Sequence, residues 1–257
     1  MSDVKHCEES KKNYTEVWDQ EVRELWPESY PLSLSSELKK LNVNSILDCA
    51  GGTGYPAIEL KQMGWDISYS DGWDAMQRFF NKRLQELKLD MPQYLSRWES
   101  LSENIPNTYD ALLCSGNSFV GINAYDNDSS VAAETVKSNM MIAVSEFYKI
   151  LNTGGVLFID LFNRQSSAPE QPYCMTQTND THHIFTTISY DPFKNVRTNL
   201  TTKTSLIDCS EVDTIVKVTP LFSQELINLL LDAGFSRVEP TAVNHADYVD
   251  SFFAFKD

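Results

Sequence analysis

A run of glycines directly after an apolar segment constrains the fold of this chain more than any other feature. Residues 46–54 read ILDCAGGTG, so a strand-like stretch ends in a loop with glycine at 51, 52 and 54. Glycine allows positive φ and a close approach of the backbone to a ligand. Pro56 then suits the first turn of a helix whose amide groups point back at that ligand. The pattern predicts a strand, a ligand-binding loop and a helix.

An acidic residue ends the next strand-like segment, at a distance typical of nucleoside sites. Residues 65–70 read WDISYS, and Asp71 follows them roughly 20 residues beyond the loop. A carboxylate at this strand tip can accept hydrogen bonds from ribose hydroxyls. The two segments together predict a nucleoside ligand.

The glycine spacing alone leaves two classes of nucleoside open. A dinucleotide fingerprint has a third glycine three residues after the second, and this position is Ala57, which is tolerated. The first strand, however, ends in Asp48, an acid that would lie badly beside a pyrophosphate and suits a cationic ligand. S-adenosylmethionine, with an ammonium and a sulfonium group, therefore fits better than NAD. The run resembles motif I, D-x-x-x-G-x-G, of class I S-adenosylmethionine-dependent methyltransferases.

Composition limits the partners that we expect. The 257 residues carry a formal net charge of −15, without a lysine or arginine cluster longer than two. Polyanions would be repelled, so we expect no nucleic acid and no anionic membrane, but a small molecule or a basic peptide. Because no run is as long as a membrane span and the first residues are polar, we expect a cytoplasmic protein. Five scattered cysteines without a C-x-x-C pair indicate neither disulfides nor a metal site.

Apolar periodicity predicts one domain in four parts. Residues 1–44 form a helical, aromatic-rich cap, broken at Pro27 and Pro31. Residues 45–165 alternate strands with helices, which predicts a Rossmann-like, doubly wound, mostly parallel sheet that binds S-adenosylmethionine. The elements predicted after residue 71 are a helix over 74–89, strands at 92–95 and 109–114, a helix over 131–151 ended by a turn at 152–155, and a strand at 156–161.

The pattern changes after residue 165. Residues 166–220 predict an inserted lid of turn-joined antiparallel strands, because the apolar runs are rich in threonine and β-branched residues. These strands are expected at 183–190, 196–207 and 213–218. Residues 221–257 return to the core with a helix from Ser223 and a last strand at 251–255.

Five successive segments resemble motifs of the glycine and glycine/sarcosine N-methyltransferases in order and spacing. They lie at 46–54, 70–76, 97–98, 109–119 and 151–160. The resemblance covers residues 44–165 well and the C-terminal helix and strand loosely. Motif I indicates the superfamily, whereas the GNSF sequence at 116–119 indicates this subfamily.

The resemblance implies a site for S-adenosylmethionine, with S-adenosylhomocysteine as the product. The residues that correspond to the family's cosubstrate site are Tyr14, Trp18, Asp48, Ala50, Gly51, Gly52, Asp71, Gly72, Met76, Arg97, Trp98 and Ser115. Among them, Asp71 takes the ribose. The adenine lies between Met76 and Trp98, because a flat ring fits an apolar sandwich.

The acceptor side departs from the family pattern. Where glycine-type enzymes have an arginine that can hold a carboxylate bidentately, this chain has Phe162. The residues expected to bind the acceptor are Asn117, Asn163 and Arg164. We therefore expect a small-molecule acceptor that is an amine or an N-heterocycle and is not simply glycine.

Alternatives stay open at this point. A small-molecule O-methyltransferase and a non-catalytic S-adenosylmethionine-binding partner protein would share these motifs, and a nicotinamide oxidoreductase fits less well. An amino-directed nucleic-acid methyltransferase would have Asn/Asp-Pro-Pro-aromatic where residues 114–117 read CSGN. In-line methyl transfer needs mainly positioning and a dry cavity, so no catalytic residue is assigned. The downstream histidines that could act as a base are His182, His183 and His245.

Overall fold

Strands and helices alternate through the core, as the sequence predicts. The computed structural model describes residues 14–24, 26–122, 133–178 and 180–257. The strands are β1 (Ser45–Asp48), β2 (Asp66–Asp71), β3 (Gln93–Leu95), β4 (Tyr109–Cys114), β5 (Leu151–Phe162), β6 (Tyr173–Thr178), β7 (His182–Asp191), β8 (Val196–Ser205), β9 (Glu211–Val218), β10 (Arg237–Thr241) and β11 (Val249–Phe255).

Eight α-helical segments lie in the described ranges. They are α1 (residues 14–24), α2 (Ser29–Lys40), α3 (Ala57–Gln62), α4 (Asp74–Leu87), α5 (Leu101–Asn104), α6 (Ala133–Ile150), α7 (Arg164–Ser167) and α8 (Ser223–Asp232). Two single-turn 3-10 helices occupy Trp98–Ser100 and Ser118–Gly121. Within these parts of the chain, no helix combines the length and the apolarity that a bilayer crossing requires.

Seven strands form the central sheet in the order β10-β11-β5-β4-β1-β2-β3. Strand β11 runs opposite to the other six strands of this sheet, so its pairings with β10 and β5 are antiparallel and the other described pairings are parallel. The winding reverses between β1 and β4, and such a switch point leaves a crevice at the carboxyl ends of the strands. The predicted Rossmann-like, mostly parallel sheet is confirmed.

Alternation along the strands sends apolar side chains into two cores. Leu47 and Leu112 pack with α6 and α8 on one face, whereas Ile46 and Leu113 pack with α2, α3 and α4 on the other. A sheet that is covered on both faces needs strands that are apolar on both sides, which explains the near-continuous apolar runs. The two cores fix the strand ends at which the crevice opens.

A separate antiparallel sheet follows α7, in the order β6-β7-β8-β9. We call these strands the lid sheet. Three of them coincide with the predicted lid strands within a few residues. The sequence did not predict β6, because YCMTQT alternates half-buried with exposed residues and has too few apolar side chains to be recognised.

Two prolines occur where the sequence pattern is misleading. Pro31 was expected to break a helix, but it lies in the first turn of α2, where its missing N–H is not needed. Strand β10 was not expected and contains Pro240. This proline is tolerated because β10 is an edge strand.

The expected turn at 152–155 belongs to β5 instead. Tyr109 pairs with Leu151, and the next pairing joins Ala111 to Val156. Residues 152–155 therefore bulge out between two paired positions, and α6 passes into β5 without a separate connection.

Candidate functional site

The glycine loop lies at the end of β1. Gly52 has a φ of +51°, which side-chain-bearing residues rarely adopt, and a Cβ atom there would lie 3.0 Å from Nε1 of Trp18. A Cβ atom at Gly51 would overlap the ring of Tyr69, whose hydroxyl donates to the carbonyl of Gly52 at 2.8 Å. The loop is therefore packed from the sheet side by Tyr69 and covered on its open side by Trp18.

Asp71 connects the tip of β2 to this loop. Its Oδ2 accepts from the amide of Gly52 at 2.9 Å, and its Oδ1 accepts from the amide of Trp73 at 2.8 Å. Burial raises the pKa of Asp71 to about 6, although the backbone hydrogen bonds oppose this shift. A carboxylate has about four acceptor positions, so the predicted bonds to ribose hydroxyls are compatible with these two.

Asp48 presents an unpaired oxygen at the end of β1. The side chain is fully buried, and Oδ1 accepts from the amide of Ala50 at 3.2 Å. Oδ2 is buried without a hydrogen-bond partner among the described residues. Burial raises the pKa of Asp48 to about 8, and the charge of Asp71 adds to this effect. A buried acceptor without a partner suits a cationic ligand, so these residues fit S-adenosylmethionine.

Asp160 fixes the segment that follows β4. Its two oxygens accept from the amides of Gly116 at 3.0 Å and Asn117 at 2.6 Å, and burial raises its pKa to about 7. Asn117 has a φ of +54°, and its Oδ1 accepts from the amide of Phe162 at 3.0 Å. The side-chain oxygen of Asn117 therefore holds the end of β5, and a contact with an acceptor would use Nδ2 or the second lone pair of Oδ1.

Helix α1 covers the crevice with two of the predicted residues. Tyr14 and Trp18 are four residues apart and lie on the same helix face. The ring of Tyr14 packs edge-on against Trp73, with 5.4 Å between ring centroids. Trp18 lies over both glycine-containing segments, because a Cβ atom at Gly116 would be 3.1 Å from its ring. The structure thus brings the N-terminal cap onto the carboxyl ends of β1 and β4.

Met76 and Trp98 are buried. Nε1 of Trp98 donates to the carbonyl of Cys49 at 2.6 Å, and its ring packs with Phe119 and Phe147. Trp98 is only 2% exposed, so its ring has little open surface in this conformation. The adenine sandwich of Met76 and Trp98 stays a prediction.

The other predicted cosubstrate residues lie around the strand ends. Gly72 is half-buried between β2 and α4, and Ser115 is buried directly after β4. The guanidinium of Arg97 is partly exposed and lies 3.8 Å from Glu99.

Asn163 and Arg164 make contacts outside the crevice. Oδ1 of Asn163 accepts from the amide of Ser166 at 3.1 Å, which caps α7. Arg164 is exposed, and its guanidinium lies 4.4 Å from the centroid of the Phe222 ring. Their predicted contacts with an acceptor stay predictions.

The three downstream histidines have different surroundings. His182 and His183 lie on β7 and pair with threonines. His245 is buried and stacks on Trp26, with 3.7 Å between ring centroids. Burial lowers the pKa of His245 to about 4, and its Nδ1 lies 3.6 Å from Asp160, beyond hydrogen-bond distance.

Arg197 is a candidate functional residue that sequence reasoning missed. It lies on β8, is 3% exposed, and its guanidinium is 4.8 Å from the centroid of the Phe162 ring. Nε and Nη1 have no hydrogen-bond partner among the described residues. Burial lowers the pKa of Arg197 to about 10, whereas Tyr173 and Tyr14 act in the opposite direction. The available signal was a single arginine at an inward position of an alternating, threonine-rich strand.

Glu21 is a second residue that the sequence did not single out. It follows Trp18 by three positions on α1, and its charge acts on both Tyr14 and Tyr248. Burial raises the pKa of Glu21 to about 7. A carboxyl group with this pKa can exchange a proton near neutral pH.

Sequence relatives with known names match about half of the chain or slightly more. No family model matches the chain. It is 36% identical to a glycine/sarcosine N-methyltransferase of Halorhodospira halochloris over 130 residues, which are 49% of this chain and 43% of the relative. It is 26% identical over 157 residues to a glycine/sarcosine/dimethylglycine N-methyltransferase of Actinopolyspora halophila, covering 60% of this chain and 25% of the relative. The chain spans about half the length, or less, of the curated relatives that it matches.

Solved structures match nearly the whole chain. An S-adenosylmethionine-dependent methyltransferase from Clostridium acetobutylicum has a TM-score of 0.74 at 12% identity and covers 95% of this chain and 98% of its own. DesVI of Streptomyces venezuelae has a TM-score of 0.74 at 15% identity, with the same coverage. The chain has the methyltransferase fold. The resemblance to class I S-adenosylmethionine-dependent methyltransferases is therefore confirmed.

Charge is distributed unevenly in this methyltransferase fold. Asp48, Asp71 and Asp160 are buried at the ends of β1, β2 and β5, and Arg197 approaches the end of β5 from the lid sheet. Each acid has a pKa raised by burial, so a positive charge placed among them would favour their ionised forms. The sheet side of the crevice suits a cation, and the lid side does not.

Proposed function

We propose that this chain is an S-adenosylmethionine-dependent methyltransferase that N-methylates a small molecule. The observation that carries the proposal is the unpaired, buried Oδ2 of Asp48, which lies beside the glycine loop at the switch point of a methyltransferase fold. A dinucleotide would bring its pyrophosphate against this acid, which is electrostatically unfavourable. A cationic cosubstrate would instead supply a hydrogen-bond partner for Oδ2 of Asp48.

The sheet side of the crevice supplies the cosubstrate contacts. When it is bound, S-adenosylmethionine contributes an electrophilic sulfonium methyl group. Asp48 balances positive charge, and Asp71 accepts hydrogen bonds from the ribose while it holds Gly52 in place. With the cosubstrate held in this way, positioning of the acceptor against its methyl group would provide a large part of the rate.

Helix α1 and the lid sheet exclude water from the transfer. Trp18 covers Gly52 and Gly116, and Tyr14 lies within electrostatic range of Arg197 on the lid sheet. Segments that close a crevice strengthen electrostatic interactions inside it and prevent hydrolysis. We therefore divide the chain into a cap at 1–44, a core at 45–165 and 221–257, and a lid at 166–220, in which the cap and the lid cover the core.

Nitrogen is favoured over oxygen as the acceptor atom. The amine lone pair forms the new N–C bond as the S–C bond breaks, and a proton leaves the nitrogen. Glu21 has a pKa of about 7, which suits a proton from an ammonium group more than one from an alcohol. The names of the matching relatives also contain N-methyltransferase.

Two measurements on the purified chain test the proposal. Calorimetry should show binding of S-adenosylhomocysteine, and methyl-labelled S-adenosylmethionine should label members of a panel of amines and N-heterocycles. Labelling only of phenols or alcohols would support the O-methyltransferase alternative. Binding without transfer to any compound would support a non-catalytic partner protein, and absence of binding would contradict both.

Hydrogen exchange tests the role of the cap and the lid. We expect the lid sheet and the described part of the cap to gain more protection than residues 46–54 when an acceptor joins S-adenosylhomocysteine. Protection confined to the glycine loop would instead assign the lid sheet to another role, such as a partner-binding surface.

A further inference from the structure

Arg197 is a buried cation, and two of its three nitrogen atoms make no hydrogen bond to the described residues. A guanidinium has five N–H donors, and a buried donor without a partner is costly to the folded state. Arg197 is 3% exposed, and both Nε and Nη1 lack a partner among the described residues. Among the described residues, the titratable side chains that act on the pKa of Arg197 are Tyr14 and Tyr173, which are neutral at pH 7, and not an aspartate or a glutamate. A structural arginine in such a position would be expected to have a carboxylate partner.

A second side chain near Arg197 also has a buried polar atom without a hydrogen-bond partner among the described residues. Asn199 lies two residues further along β8 and therefore on the same face of the lid sheet. It is in register with Ile188, which pairs with Tyr173. Oδ1 of Asn199 is also buried without a partner among the described residues. The inner face of the lid sheet thus has several polar groups that no protein group satisfies.

The guanidinium of Arg197 lies against the ring of Phe162. Phe162 is the last residue of β5, its ring is 4.8 Å from the guanidinium of Arg197, and Tyr248 packs edge-on against the same ring at 5.4 Å. A guanidinium stacked on an aromatic ring keeps its N–H edges free for an in-plane acceptor. The stack is at the end of β5, where the crevice opens.

We propose that Arg197 binds a carboxylate group of the methyl acceptor. This assignment rests on the proposed function and narrows the acceptor to a small amine or N-heterocycle that also carries a carboxylate. One guanidinium balances one negative charge, which a carboxylate has at neutral pH, whereas a phosphate monoester has nearly two. Tyr14 and Tyr173 both act on the pKa of Arg197, so polar side chains flank the guanidinium. The hydroxyl of Tyr173 donates to the carbonyl of Ser166 at 3.4 Å.

The charge separation across the crevice supports a zwitterionic acceptor. Glu21 on α1 and Arg197 on β8 both influence the pKa of Tyr14, in opposite directions. An amino group near Glu21 and a carboxylate at Arg197 would each have an oppositely charged partner.

Pairs of acceptors that differ only in charge test this assignment. Suitable pairs are glycine and glycinamide, proline and prolinamide, and picolinic acid and picolinamide. For at least one pair, we expect the wild-type chain to methylate the acid with a kcat/KM at least about 30-fold above that of the amide, because a charge-assisted bond is lost with the amide.

Arg197→Met should abolish this preference. We expect kcat/KM for the acid to fall about 30- to 100-fold, mainly through KM, and that for the amide to change less than about threefold. Binding of S-adenosylhomocysteine should be unchanged. The Tm should stay the same or rise, because the variant removes buried donors that have no partner. Arg197→Lys should retain part of the preference, since it keeps the charge but not the planar donor set.

Arg237→Met is the matched control. Arg237 also lies over a phenylalanine ring, 3.7 Å from the centroid of Phe255, but it is on the edge strand β10 and pairs with Glu239. This variant should keep the ratio of acid to amide turnover.

Several results would overturn the assignment. They are equal or better turnover of the amides by the wild-type chain, equal losses for both members of a pair in Arg197→Met, and unfolding of both Arg197→Met and Arg197→Gln. Methylation of none of the acids, with intact binding of S-adenosylhomocysteine, would overturn it and leave the proposed cosubstrate standing. Failure of the wild-type chain to bind S-adenosylhomocysteine would overturn the proposed function as well.

Discussion

The strand-end side of the crevice and the inner face of the lid sheet differ in how their polar side chains are hydrogen-bonded. At the strand ends, Asp71 and Asp160 each accept two backbone amide hydrogen bonds, so the acids fix the loops as well as facing a ligand. On the lid sheet, Arg197 and Asn199 have buried polar atoms that none of the described residues satisfies. The difference fits the proposed function, in which the strand ends bind the cationic cosubstrate and the lid sheet contacts the methyl acceptor.

The largest expected effect is on cosubstrate affinity and comes from removing Asp71 at the strand ends. Asp71→Ala should weaken binding of S-adenosylhomocysteine by about 1.5 to 3 kcal/mol, because the ribose loses a charge-assisted bond and the amides of Gly52 and Trp73 lose their acceptor. Calorimetry measures the affinity. Asp66→Ala, at the exposed start of the same strand, is the control and should leave it unchanged. An unchanged affinity in Asp71→Ala would mean that the ribose lies elsewhere.

A smaller effect, on kcat/KM, is expected from a substitution of Glu21 on α1. Glu21→Gln should reduce kcat/KM for an amine acceptor about 10- to 30-fold at pH 8, because the amine loses its proton acceptor. In the wild-type chain, the rate should rise with pH through about 7, the pKa of Glu21, and this limb should be absent from the variant. Glu16→Gln, an exposed position on α1, is the control. Identical pH profiles for Glu21→Gln and the wild-type chain would exclude this role.

The third prediction concerns the pH dependence of stability at the strand ends. The pKa of Asp48 is raised from 3.8 to about 8, so the folded state binds a proton that the unfolded state has already released. The stability from this group is complete below pH 4 and is lost as pH rises toward 8. Asp48→Asn should therefore remove about 1 to 2 kcal/mol of the decline between about pH 6.5 and 8.

Thermal denaturation across this pH range measures the decline. Calorimetry in buffers of different ionisation enthalpy gives a second readout. If Asp48 receives a cationic ligand, binding at pH 7 should release a proton in the wild-type chain and a smaller fraction of one in Asp48→Asn. Equal proton release in both would show that Asp48 does not contact the charge.

The smallest effect distinguishes a structural residue from a binding residue. Asn163→Ala should lower the free energy of unfolding by about 0.5 to 1 kcal/mol, because it removes the cap of α7. Its effect on the KM of an acceptor should be much smaller than that of Arg197→Met. A larger KM effect would return Asn163 to the acceptor site that the motif comparison predicted.

The strand-end side could be predicted because its signals are local. Asp48, the glycine loop and Asp71 lie within 24 residues, and each signal depends on one strand and the turn that follows it. Tyr14 and Trp18 were identified only through the family resemblance, because nothing in their own neighbourhood relates them to Gly52 or Gly116. Element order and most strand positions followed from periodicity, whereas β6 and β10 are edge strands with weak patterns.

The lid side could not be predicted because its geometry depends on pairing between distant strands. Arg197 approaches Phe162 only when β8 pairs with both β7 and β9 and the resulting sheet packs over β5. Arg164 was nearer in sequence and was therefore preferred, yet its side chain lies over Phe222. Sequence proximity to a motif does not specify the direction in which a side chain points.

The position of Trp18 over Gly52 and Gly116 has a consequence for the catalytic cycle. If the proposed cosubstrate binds at these two segments, the ring of Trp18 would cover it, and α1 would have to move for product to leave. The stack of Trp26 on His245 holds the chain just beyond α1 against the C-terminal part of the core, so the helix would pivot from that point. The slow step would then be opening of the helix for product release rather than methyl transfer.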